Sequence, residues 1–250
     1  MMSRRSLGLL AVPVVVLVMG TALAVRLGGV TAVLLTIGML AVVSVGVDLV
    51  IRGETRIRPT LERFILPNLA VVAAVLFFRL LPAEGASIVG LAGYAGLVVL
   101  VIWSELNDQY GAGDRRWSTL GLLVVGYVVA FALFAVIYQA KARTLFNAPA
   151  IVAVAFLIAL RLLLLSTDEL TLLRTATYAA LVGLVVGEVT WPLNYWPLNG
   201  LFGGAFLLIV LYFLVQTLSR HLAARLTTRT VAEHGMVCLA AAALILWRGL

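Results

Sequence analysis

The sequence predicts an all-α fold, a polytopic transmembrane helix bundle of about nine spans. Three observations carry this. The 250 residues are 63% hydrophobic and 12% charged, whereas a soluble domain is about half apolar and about a quarter charged. The apolar residues come in continuous runs, and about 20 such residues cross a bilayer as a helix. They do not alternate as the strands of a membrane barrel do, at about ten residues per pass. The connections are short, so residues 1–250 read as a single integral membrane domain.

The spans follow in order. The first, 7–25, comes after Arg4 and Arg5 and ends near Ala22-Leu23-Ala24. A basic start, an apolar middle and small residues also describe a secretory signal; an uncleaved helix is the expectation. The second, 29–51, carries Asp48, and the third, 64–81, carries Pro67 and Arg79. The fourth, 86–103, presents Gly90, Gly93 and Gly96, and leads into the polar stretch WSELNDQYGAGDRRW. The fifth is 118–138; the sixth, 148–165, holds Pro149 and Arg161. The seventh, 175–190, contains Glu188 and is followed by WPLNYWPLNG; the eighth is 201–218 and the ninth 235–248.

Net charge is +7, from 17 Arg and 1 Lys against 11 acids. In a membrane chain this speaks of orientation and not of nucleic acid, because basic residues collect in cytoplasmic loops. With the N-terminus inside, twelve of the eighteen basic residues are cytoplasmic. Four (Arg26, Lys141, Arg143 and Arg248) lie opposite, and Arg79 and Arg161 fall inside spans. The expectation is N-terminus in, C-terminus out. The one cysteine, Cys238, excludes an intrachain disulfide.

Residues 67–81, PNLAVVAAVLFFRLL, align with 149–163, PAIVAVAFLIALRLL. Both place Arg twelve residues after Pro, and the last span repeats the interval from Met236 to Arg248. The spacing admits three three-helix repeats in alternating orientation, as in transporters built from inverted repeats. Chance alignment of Ala, Val and Leu runs is the competing reading.

The stretch GEVTWPLNYWPLNGLFGG combines the remaining signals. Pro192 and Pro197 disfavour helical geometry at Trp191 and Trp196, so the seventh helix should stop near Thr190, and Asn199-Gly200 reads as a turn. Trp and Tyr favour the headgroup level, which makes this an interfacial hairpin on the outer face. Glu188 lies just below it. A charge at the bilayer centre costs about 2.5–3.5 kcal/mol on insertion scales, so a role for Glu188 is either structural pairing, with Arg79 as candidate partner, or a pocket. The candidate pocket is Glu188, Arg79, Trp191, Asn194, Tyr195, Trp196 and Asn199. By depth alone Asp48 and Arg161 form a second candidate pair, in which Arg161 can snorkel.

A second candidate cluster is Glu105, Asn107 and Asp108, with Asp114, Arg115 and Arg116, facing the cytoplasm. Glu105 and Asp108 share a helical face if the fourth span continues, and such acids can hold a phosphate-bound divalent ion. The default is a solvated loop with Asp114 against its own arginines. No metal site and no cofactor are expected. His221 and His234 lie at the last loop, so no histidine pair within the spans ligates a haem. No lysine lies in a span, and no Gly-x-Ser-x-Gly, His-Glu-x-x-His or Gly-rich phosphate loop is present.

The E-x-x-W-P-L-N-Y-W-P stretch, followed by Gly-Gly and an apolar helix, resembles a family of uncharacterised polytopic bacterial membrane proteins, over 178–250. The resemblance implies no activity and favours a bacterial cytoplasmic membrane. Three functions stay open. The first is a non-catalytic subunit or scaffold, packing through small-residue faces such as Gly90, Gly93 and Gly96. The second is a small-solute or lipid transporter with an outer pocket at Glu188, and the third an enzyme on a lipid-linked substrate. The expected partners are the bilayer and a membrane protein or a second copy, not nucleic acid.

Overall fold

The computed structural model describes residues 4–27, 29–55, 60–80, 88–110, 115–140, 144–166, 171–223 and 227–249. Among the described residues there are nine α-helices and no strand. They are α1 (Arg4–Arg26), α2 (Gly29–Thr55), α3 (Ile65–Leu80), α4 (Ile88–Tyr110), α5 (Arg115–Gln139), α6 (Thr144–Ser166), α7 (Leu172–Leu193), α8 (Gly200–Leu222) and α9 (Thr228–Gly249). Seven are long and apolar enough to cross a membrane. Among the described residues the apolar stretches of α1 and α4 are Pro13–Arg26 and Gly90–Glu105. A 3-10 turn, Leu61–Phe64, precedes α3.

The helices cluster in two compact units, Met1–Val125 and Gly126–Leu250, with α5 running through the boundary. In the first unit α4 packs with α1, α2 and α3.

In the first unit α1 lies against α2, α3 and α4 around Leu17, Met39, Val43, Val71, Val75, Phe78 and Tyr94. Gly29 begins α2 with φ of 63°, a conformation that costs glycine little. Polar side chains in this unit bind backbone and one another, within and across helices. Asn68 Nδ2 donates to the Phe64 carbonyl (2.8 Å) and to Ser44 Oγ (3.2 Å). Ser118 Oγ donates to the Ser104 carbonyl at 2.5 Å, joining α5 to α4. In an apolar medium these bonds replace those that water would make.

In the second unit α6 and α7 form the most extensive pairing. Gly183 and Gly187, one turn apart on α7, are the reason. A methyl group on either would fall on Val152, and at Gly183 the clash is with its backbone carbonyl. Small residues at that spacing let helices approach closely in lipid. The same device joins α8 to α5, where Gly203 faces the Tyr138 ring and Gly204 the Ala135 backbone. The last helix, α9, packs against α8, and none of its apolar window is buried.

Candidate functional site

The α7–α8 hairpin is built from its backbone outward. The helix does not stop at Thr190 as expected; it continues to Leu193 with Pro192 inside its last turn. Proline in that turn removes one helical bond, the one Glu188's carbonyl would accept, and leaves the following N–H groups usable. Those groups turn back on the helix: Asn194 N to Thr190 O (3.0 Å), Tyr195 N to Pro192 O (3.2 Å) and Trp196 N to Leu193 O (3.1 Å). Trp191 is therefore helical and not extended. Nor is Asn199-Gly200 a free turn. Asn199 is the N-cap of α8, its Oδ1 accepting from Phe202 N at 2.9 Å, the usual service of asparagine at a helix start.

Two side chains at the end of α5 hold the hairpin. Tyr138 Oη donates to the Leu193 carbonyl (2.7 Å) and, more weakly, to that of Trp196 (3.3 Å). Gln139 Oε1 accepts from Gly200 N at 2.7 Å. Leu193 and Leu198 point inward and are buried. Trp191, Tyr195 and Trp196 point outward, exposed by 58%, 84% and 39%; Trp196 also sets its edge against Phe206 at 6.1 Å. Asn194 is half-buried and Asn199 exposed. The expectation of an interfacial hairpin rests on the headgroup preference of Trp and Tyr.

Glu188 is exposed. It sits on the outward stripe of α7 with Thr177, Ala180, Leu181, Leu184, Val185 and Trp191, at the 3–4-residue spacing of one helical face. Five residues separate it from Leu193, which places it about 7.5 Å below the end of the helix. Its Cα–Cβ bond tilts toward the helix N-terminus, away from the nearer membrane surface. The geometry gives a carboxylate on an apolar outer face, with no hydrogen bond or ion pair among the described residues.

Arg79 belongs to the first unit, and Glu188 to the second. Its Nη2 donates to the Ala24 and Leu27 carbonyls, both at 2.8 Å, so the guanidinium closes the C-terminal end of α1. Cations are favoured there by the helix dipole. Asp48 and Arg161 also fall in different units. Arg161 is 3% exposed, buried among its neighbours and not snorkelling.

The second cluster is no solvated loop at its start. The α4 helix continues to Tyr110 and carries Glu105 inward, 1% exposed. Arg63 reaches it from the 3-10 turn, Nη1 lying 3.3 Å from the Glu105 carbonyl oxygen and 4.0 Å from its carboxylate. Asn107 is half-buried on the same helix. Asp108 lies within α4, but its side chain, like those of Arg115 and Arg116, is outside the described residues, as is the whole of Asp114. No group of three metal-ligating side chains occurs among the described residues.

An apolar cleft of about 270 Å³ lies between α5, α8 and α9, lined by Tyr127 and Tyr212 with Leu208, Ile209, Val237 and Cys238. The two tyrosine rings meet edge to face at 5.5 Å. The sequence reading missed this cleft and missed Tyr138 and Gln139. A Tyr-Gln pair closing an otherwise apolar run was the available signal.

A family model of proteins of unknown function (DUF5656) matches residues 10–248, nearly the whole chain. No curated protein and no solved structure matches.

Proposed function

The chain belongs to the DUF5656 family of proteins of unknown function, and from that premise we propose that it is a non-catalytic membrane subunit or scaffold, acting through the outer half of α7. One observation carries the reading: Glu188 stands exposed in an apolar helical stripe. Ionisable side chains within membrane spans almost always face protein or a water-filled cavity, because exposure to lipid is costly. A stripe with one carboxylate is the surface of a helix that packs against another helix bearing a donor. The hairpin above it, clasped by Tyr138 and Gln139, fixes the depth of α7. Gly93 and Gly96 of α4 have open space around them and offer a second small-residue face of the kind that lets helices approach closely.

The distribution of arginines supports an N-terminus in the cytoplasm and the α7–α8 hairpin on the opposite side of the membrane. The test is a photoreactive residue at Leu184, one turn from Glu188, activated in native membranes. Adducts with a discrete polypeptide, lost in Glu188→Gln, support a subunit. Adducts with lipid alone sink the reading.

A further inference from the structure

We infer that the α7 stripe packs against α9 of a second copy of this chain, with Glu188 of one copy paired to Arg248 of the other. The inference rests on the subunit reading and names its partner. Three features of the second unit lead to it.

The first is charge. Glu188 near the end of α7 and Arg248 near the end of α9 are both exposed. Neither has a hydrogen bond or ion pair among the described residues. Two exposed opposite charges close to one membrane surface are each costly alone and complementary together.

The second is depth. Helices α7 and α9 are separated by one intervening helix, so they cross in the same direction. Glu188 lies five residues before the end of α7, and Arg248 one residue before the end of α9. The axial offset is about 6 Å. Both side chains lean toward the N-termini of their helices, and the arginine, being the longer, reaches further down and narrows the offset to Glu188.

The third is shape. The outward face of α9 carries Met236, Val237, Ala240, Ala243, Leu244 and Trp247 below Arg248. Counted from the two helix ends, Ala240 is level with Leu184 and Val237 with Leu181. Leu184 thus meets a small residue, Ala240, and Leu181 an apolar one, Val237. Both helices pack on α8; in a symmetric pair a two-fold axis along the membrane normal sets α7 of each copy against α9 of the other, so that both contacts close at once.

The test uses the full chain carrying Cys238→Ser, purified in two versions with different tags and mixed in lipid nanodiscs. One version has Leu184→Cys and the other Ala240→Cys. Mild oxidation is expected to give a disulfide-linked pair bearing both tags. Glu188→Arg in the first version, or Arg248→Glu in the second, should each abolish most of that product; the two together should restore it. Glu188→Gln, which inserts more readily than arginine, should lower the yield in the same direction. No mixed product, or a yield indifferent to both reversals, overturns the inference. If the Leu184 photoprobe captures only a different polypeptide in native membranes, the second copy is excluded and the subunit reading stands. If it captures none, both fall.

Discussion

The hydroxyl of Tyr138 donates to the carbonyl of Leu193 at 2.7 Å, across 55 residues of sequence. This bond ties the last turn of α7 to the end of α5. Tyr138→Phe keeps the ring that packs on Gly203 and removes the donor. Loss of one such bond costs about 1 kcal/mol. The expected result is a lower thermal midpoint in detergent, with a change in the emission of Trp191 and Trp196. Unchanged stability and emission would show that the hairpin does not depend on the clasp.

The contact of Gly204 with the Ala135 backbone leaves no room for a side chain. Because a backbone and not a flexible side chain is in the way, Gly204→Ala must push α8 from α5. Overpacking of this kind costs about 1–3 kcal/mol. By contrast Gly93→Ala, on the outward face of α4 with open space around it, should leave folding stability within about 0.5 kcal/mol. Denaturation of the two variants side by side checks the difference.

Glu105 is buried beside Arg63. Removing one member of a buried ion pair costs about 3–5 kcal/mol where nothing else compensates the charge left behind; Glu105 and Arg63 each keep further contacts. Arg63 is 18% exposed, so some water reaches the pair and the lower end applies. Arg63→Met is expected to destabilise the chain more than Glu105→Gln, which keeps hydrogen-bonding capacity and removes the charge. The opposite order, measured by unfolding in detergent, would show that the carboxylate is held chiefly by other contacts.

Arg79 serves the Ala24 and Leu27 carbonyls with one guanidinium. Lysine keeps the charge but not the planar fork of donors. Arg79→Lys should retain part of the stability, and Arg79→Gln less. Amide exchange at the end of α1 should rise in that order; equal protection in all three would remove the capping role.

Orientation is checked by labelling. In a Cys238→Ser background, Tyr195→Cys is expected to react with an impermeant thiol reagent on intact cells. Leu61→Cys should react only after permeabilisation. Both positions are strongly exposed, at 84% and 87%, so access is decided by the side of the membrane. The reverse pattern would invert the topology.

The helices were legible in the sequence because each is one unbroken apolar run, and lipid demands internal hydrogen bonding of every residue in it. The end of α7 was misjudged because the rule for residues before proline is local. It weighs the geometry of Trp191 but not the bonds from Asn194, Tyr195 and Trp196 that hold the last turn. Glu105 was read as part of a polar loop because its neighbours are polar. Only the continuation of α4, and an arginine 42 residues earlier, put it inside. The depth of Glu188 was legible from its distance to Pro192. Its outward direction was not, since that depends on Gly183 and Gly187 turning the opposite side of α7 onto α6.

The clasp has a consequence for biogenesis. Chains emerge N-terminus first, so α5 is made before the α7–α8 hairpin that Tyr138 and Gln139 secure. When α7 leaves the ribosome, the groups that will satisfy its last turn already stand at the membrane surface. The hairpin therefore closes onto a finished template, and its register at the interface is inherited from a helix laid down some fifty residues earlier.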